Sequence, residues 1–202
     1  MKVRSIFLAP ARTTPLALVL AAALALSGCG SSAPTRIFTL AAVAPATAHG
    51  AYAGPPFRVD AVHMPSAFDR LEVVQQTGAE ELKVHDMAHW GAAPGDLARL
   101  ALTQDLVARL PAGAVVYPDA PKPPGAGGLV VDVLTFQRSA QGYVLDASWT
   151  LSSSVQGQAP LRREVRLTDT GGASSSDEPG AEAAALSRLL GQLADAVVAG
   201  LG

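Results

Sequence analysis

"LVVDVLTFQRSAQGYVLDASWTL", residues 129–151, decides the fold. Its second half alternates, with Tyr143, Leu145, Ala147, Trp149 and Leu151 pointing one way and Asp146, Ser148 and Thr150 the other. A period of two marks a strand with one buried and one wet face. Leu129 to Arg138 reads as the strand before it, with Gln141–Gly142 as the connection. Beyond a second connection at Gln156–Gly157, Leu161, Val165 and Leu167 alternate with Arg162, Glu164 and Arg166. Consecutive strands with short links form an antiparallel meander.

Working outward, "TGGASSSDEPG" at 170–180 is a loop that ends in helix-start chemistry, Asp177 or Glu178 ahead of Pro179. Leu186, Leu189, Leu190, Leu193 and Val197 then form the apolar stripe of a terminal helix. Upstream, Pro118 to Gly128 is a loop rich in Pro and Gly, and Ala114 to Tyr117 a short apolar strand. From Gly95 the period is helical: Leu97, Leu100, Ala101, Gln104 and Val107 share a face, widened by Leu106 and Leu110, until Pro111 stops it. Two strands, near Leu71–Gln76 and Glu81–Asp86, meet at a Thr77–Gly78 turn. Phe57 to His63 alternates Phe57, Val59 and Ala61 against Arg58, Asp60 and Val62. Arg36 to Val43 reads as a first strand and Ala44 to Pro56 as loop. The fold class is therefore α+β, a largely antiparallel β-sheet packed against two amphipathic helices in two layers.

The N-terminus follows another pattern. Lys2, Arg4 and Arg12 precede an apolar run from Leu16 to Leu26, and Ser27, Gly28 and Cys29 follow. That is the layout of a secretory signal peptide over residues 1–28. The run is well short of the roughly 20 residues that span a bilayer, and no later stretch reads as a second anchor. Cys29 is the only cysteine, so no internal disulfide is open to the chain. Leu-Ser-Gly-Cys closing such a segment resembles the lipobox of bacterial lipoproteins; the alternative is a free cysteine beside an ordinary cleavage site. On the first reading Cys29 is lipidated, residues 29–35 are a tether, and 36–202 is a single domain. Without residues 1–28 the chain keeps all 17 acidic residues but loses 3 of its 15 basic ones. Such a balance argues against nucleic acid, which requires clustered Lys and Arg.

No catalytic set stands out. His85 and His89, four apart in "HDMAH", would share one metal on a helix. They follow an alternating strand, where residues four apart lie about 13 Å from each other. Asp132 and Asp146 could face each other across neighbouring strands as an acid/base pair, against the simpler reading of two solvated carboxylates. The serines fall in turn-like stretches, and "GAGG" at 125–128 lacks the lysine and helix of a phosphate loop. No enzyme activity and no cofactor are expected. Trp149 is a core anchor. Trp90 either packs under the first helix or is exposed to a partner, and packing is preferred.

Together these segments resemble the ABC-type transport auxiliary lipoproteins, the PqiC/YmbA-like family. The residues that carry the resemblance are the Cys29 tether with "TRIFTL", "MPSAFDRLEVVQQTGAEELKVHDMAHW", "VVDVLTFQRSAQGYVLDASWTL" and "AEAAALSRLLGQLADAVVAGL". The chain departs from the family pattern after Trp90, in "GAAPGDL", and His89 takes a place where a basic residue is usual. The resemblance implies an outer-membrane-anchored periplasmic lipoprotein that docks an MCE-domain protein of an inner-membrane transport system moving lipids or other hydrophobic molecules. Gly30, rather than Asp, after Cys29 fits sorting to the outer membrane. Partner-binding falls on Arg70, His89 and Trp90, and self-association into a homo-oligomer is compatible with the family. A different class of function, a periplasmic carrier of a lipid or other hydrophobic ligand, would need an apolar cavity of at least a few hundred Å³.

Overall fold

A computed structural model describes residues 34–45, 51–78, 80–154, 157–171 and 178–202. Cys29, residues 1–28, most of the 29–35 tether, Gln156 and Asp177 lie outside the described residues. The strands are β1 Arg36–Phe38, β2 Phe57–His63, β3 Glu72–Gln76, β4 Leu82–Trp90, β5 Val115–Val116, β6 Gly127–Ser139, β7 Gly142–Ser152 and β8 Leu161–Asp169. The helices are α1 Pro94–Arg109 and α2 Pro179–Leu201.

The meander is present as read. Strands β6, β7 and β8 pair antiparallel, with Leu129↔Leu151, Val131↔Trp149 and Ala147↔Val165 in register. Tyr143, Leu145, Ala147 and Trp149 are all at most 1% exposed, so the alternation does select the core face. The reverse face is not uniformly wet, because Val144 and Ser148 are buried too. On the outermost strand, Arg162, Arg163, Glu164 and Arg166 are exposed. Charges along a free edge oppose edge-to-edge pairing with another chain.

The α+β class stands, but there are two sheets rather than one: β5-β2-β6-β7-β8 and β1-β4-β3. Strand β2 joins the meander in parallel beside β6, and β1 runs parallel to β4. Parallel partners must come from distant sequence, so local alternation did not reveal them. A register shift between Val59 and Ala61 also moves the buried row of β2 from Ala61 to Val62, which is 5% exposed. Strand β1 is shorter than the expected Arg36–Val43. Leu40 to Val43 instead form a strap along α2, where Ala41 N–H donates to Ser187 Oγ at 3.2 Å. Val43 Cβ lies 3.0 Å from where a Cβ on Gly191 would sit, so any larger residue there would press on the strap.

Helix α2 matches its predicted stripe: Leu186, Leu189, Leu190, Leu193 and Val197 are all at most 1% exposed. At 23 residues it is long and apolar enough to cross a membrane by length and composition, which the sequence reading had denied. Half of its most apolar window is buried inside the body, as befits a helix that packs on β7, β8 and α1. Helix α1 is a correction. Its buried face is Ala98, Ala101, Leu102, Asp105, Leu106 and Arg109, while Leu100 and Gln104 are exposed. The apolar-stripe reading was turned round the axis because the true inner face includes an aspartate and an arginine.

Those two charges form a network with the strap. Val43 N–H donates to Asp105 Oδ1 at 2.7 Å, and Arg109 Nη1 donates to Val43 O at 3.0 Å and to Asp105 Oδ1 at 3.3 Å. Arg109 Nε donates to Asp195 Oδ1 of α2 at 2.6 Å. Burial pushes the Asp105 carboxyl up to about 6, against the opposing pull of Val43 N–H and Arg109. A carboxyl raised above its unfolded value adds stability fully below that value and loses it as pH rises through the folded one. Acidifying from pH 7 to pH 5 should therefore raise the unfolding free energy by about 1 kcal/mol from this group. Asp105→Asn should flatten that slope in urea titrations; an unchanged slope would assign it to other groups.

Candidate docking surface

The smaller sheet carries the predicted partner residues. Phe38 and Trp90 are register partners, and so are Ile37 and His89. Side chains alternate along a strand, so these two pairs occupy opposite faces. Trp90 is 7% exposed and belongs to the core, where it meets Phe68, Pro94, Phe136 and Leu186 around a small hollow. Its backbone N–H donates to Leu71 O at 2.7 Å, and the next N–H, of Gly91, to Phe38 O at 2.8 Å. The tryptophan is thus packed, and it fixes the strand on which His89 points outward.

On the outer face His89 lies between Ile37 of β1 and Glu72 of β3. Arg70 Nε donates to Glu72 Oε2 at 2.9 Å. That bond holds the Glu72 carboxyl below its ordinary value and the Arg70 guanidinium above its own. An exposed ion pair of this kind is screened by solvent, so it serves orientation more than stability. Around it Ile37 is 73% exposed, Leu71 56% and Met87 42%. The structure thus brings Arg70 and His89 together, through Glu72, on one face with exposed apolar side chains. Trp90 lies behind that face.

The remaining candidates are dispersed. His85 and His89 lie on β4 on either side of a register shift, with His85 opposite Val73 and His89 opposite Glu72. Among the described residues no three His, Cys, Asp or Glu side chains group as a metal site. Asp132 and Asp146 do not meet. Asp132 pairs with His63 at 2.8 Å, and Asp146 with Thr135 Oγ1 at 2.8 Å and Arg166 at 3.1 Å. The His63–Asp132 pair escaped the sequence reading because it depends on the parallel β2–β6 register. Both side chains are largely solvated, at 62% and 47% exposure.

For a carried ligand the decisive quantity is apolar volume. The apolar cleft between Tyr52, Phe57, Leu151, Leu161 and Leu201 has about 200 Å³. That is below the ~300–1,000 Å³ of typical small-molecule sites. The hollow beside α1, of about 440 Å³, is polar and lined by Asp60, Asp69 and Asp96; an open trough of about 500 Å³ over Leu134, Ala147 and Val165 also carries Asp146, Glu164 and Arg166.

Of the three predicted partner residues of this α+β body, Arg70 and His89 share one exposed sheet face and Trp90 packs behind it. The family comparison makes this specific. Residues 38–198 match the family described as the ABC-type transport auxiliary lipoprotein component, and the chain belongs to that family. Two solved structures share the fold. One, titled only as an uncharacterized protein, is 18% identical with a TM-score of 0.64, covering 84% of this chain and 100% of its own. The other, protein XCC0632 from Xanthomonas campestris, is 19% identical with a TM-score of 0.56, covering 80% and 92%. No curated protein matches the chain.

Proposed function

We propose that the chain is an outer-membrane-anchored periplasmic lipoprotein, a non-enzymatic adaptor of an MCE/ABC-type intermembrane lipid transport system. The observation that carries this reading is membership of the transport auxiliary family over residues 38–198. Residues 1–28 are removed, Cys29 takes the lipid, 29–35 are the tether, and 36–202 are one domain. The outer face of the β1-β4-β3 sheet receives the MCE-domain protein. Exposed Ile37, Leu71 and Met87 supply apolar area there, and Arg70 and His89 supply polar selection. Apolar centres with a few charged anchors are the usual composition of protein interfaces. The carrier reading is disfavoured because the cleft walled mainly by apolar side chains is small and the larger hollows carry charged side chains.

The test is recovery of the MCE-domain protein from solubilised membranes. The paired substitution Arg70→Glu with His89→Glu should lower recovery at least tenfold while leaving the thermal midpoint within a few degrees, because both side chains are on the surface. Undiminished recovery would move the docking face elsewhere. Repeated recovery of unrelated envelope proteins alone would end the adaptor reading.

A further inference from the structure

A polar groove runs between the end of β3 and the β6–β7 hairpin. Gln75, Gln76, Thr77, Arg138 and Ser139 line it, and it holds about 280 Å³. None of these five is acidic, although acidic residues outnumber basic ones in the chain. Among the described residues Arg138 has no ion pair, whereas Arg166 and Arg188 each hold an aspartate. Gln75 is 2% exposed, and both Oε1 and Nε2 of its carboxamide are buried without a hydrogen-bond partner. A buried polar group left unpaired costs about 1–3 kcal/mol, and in a native fold it calls for a reason. The two hydroxyls of the wall are spent on the backbone: Ser139 Oγ donates to Gly142 O at 3.1 Å and Thr77 Oγ1 to Glu81 O at 3.4 Å.

The donors left over are the unpaired Arg138 guanidinium and the Gln75 carboxamide, with no carboxylate in the wall. Guanidinium forks match phosphate oxygens bidentately, and such charge-assisted bonds are about twice as strong as neutral ones.

Strand direction places the groove. Strand β1 runs parallel to β4, so its Arg36 end is the one on the side of the β3–β4 turn, where Thr77 N–H donates to Glu81 O. The groove opens beside that turn. Six peptide units separate Cys29 from Thr35, and six extended residues reach at most about 22 Å. A lipid on Cys29 would therefore hold the body within reach of the bilayer.

We propose that the Gln75–Thr77 and Arg138–Ser139 groove binds a phosphate group, supplied by a phospholipid headgroup of the membrane that holds Cys29. The headgroup source rests on the lipid-anchor reading; the phosphate chemistry does not.

The experiment uses the full chain, purified in non-ionic detergent and titrated calorimetrically with three probes. These are short-chain phosphatidylglycerol, the matching diacylglycerol without phosphate, and inorganic phosphate. Phosphatidylglycerol should bind and the diacylglycerol should not. Arg138→Ala should weaken binding about tenfold or more, and Arg138→Lys should restore only part of it. Gln75→Leu should weaken binding while keeping or raising the thermal midpoint, which separates ligand contact from folding. Equal binding of diacylglycerol, or binding indifferent to Arg138, would overturn the site. Binding of inorganic phosphate alone would overturn the headgroup assignment. A Cys29→Ala chain that still sediments with membranes would remove the anchor reading and leave the titration standing.

Discussion

Replacing Cys29 by Ala, with residues 1–28 exchanged for a cleavable secretory leader, is expected to move the protein from the membrane pellet to the soluble fraction. The leader exchange matters because an uncleaved apolar run would itself hold the chain. The size of the effect follows from chain counting. Each buried methylene contributes about 0.8 kcal/mol, one acyl chain binds only marginally, and two or more anchor stably. The resemblance to lipoproteins implies a diacylglyceryl group and an amino-terminal acyl chain at Cys29, so its loss removes the whole anchor at once. Net charge does not compensate: without residues 1–28 the chain has 17 acidic and 12 basic residues, which gives no broad attraction to anionic lipid. Fractionation with mass analysis of the new N-terminus reads the result. A correctly cleaved Cys29→Ala chain that still pellets with membranes would show that the domain, not the cysteine, carries membrane affinity.

How much of this was legible depended on whether the governing contact was local. The β6–β7–β8 meander and the α2 stripe were readable because the strands pair with sequence neighbours and most buried positions carry an apolar letter. The face of α1 was misread for the opposite reason. Asp105 and Arg109 are buried because they bind Val43 and Asp195, partners 62 and 86 residues away. A polar letter in sequence cannot announce such a partner. The same limit applies to His63 and Asp132, separated by 69 residues and joined only by the parallel β2–β6 register.

The candidate site divides the same way. Trp90 before a Gly/Ala/Pro turn announced packing, and it is packed. That Arg70 reaches His89 through Glu72 required the β3–β4 register, whose shift between Glu72 and Val73 lets His85 and His89 oppose adjacent residues of β3. Irregular register of this kind has no signature in alternation. The resemblance named Arg70 and His89 separately; the sheet makes them one surface.

Arg109→Ala should be the most damaging single substitution of a charged residue in the body, costing about 3–5 kcal/mol in urea unfolding. Arg109 is 4% exposed and binds three segments at once: the strap through Val43 O, its own helix through Asp105, and α2 through Asp195. Truncation leaves the Asp105 carboxylate, which is 0% exposed, without its counter-charge. Asp195 is half exposed and can turn to water; Asp105 cannot. Since whole domains have only about 5–15 kcal/mol, the loss would take a large share of the fold's stability. Lysine should recover little, because one ammonium cannot meet two carboxylates and a carbonyl with fixed fork geometry. The control is Arg109→Met combined with Asp105→Leu, which removes both charges together and should be far milder than Arg109→Ala alone. A single-substitution cost below about 1 kcal/mol would mean that water reaches the pair. A large cost would show that the strap after β1 depends on Arg109 for its attachment to both helices.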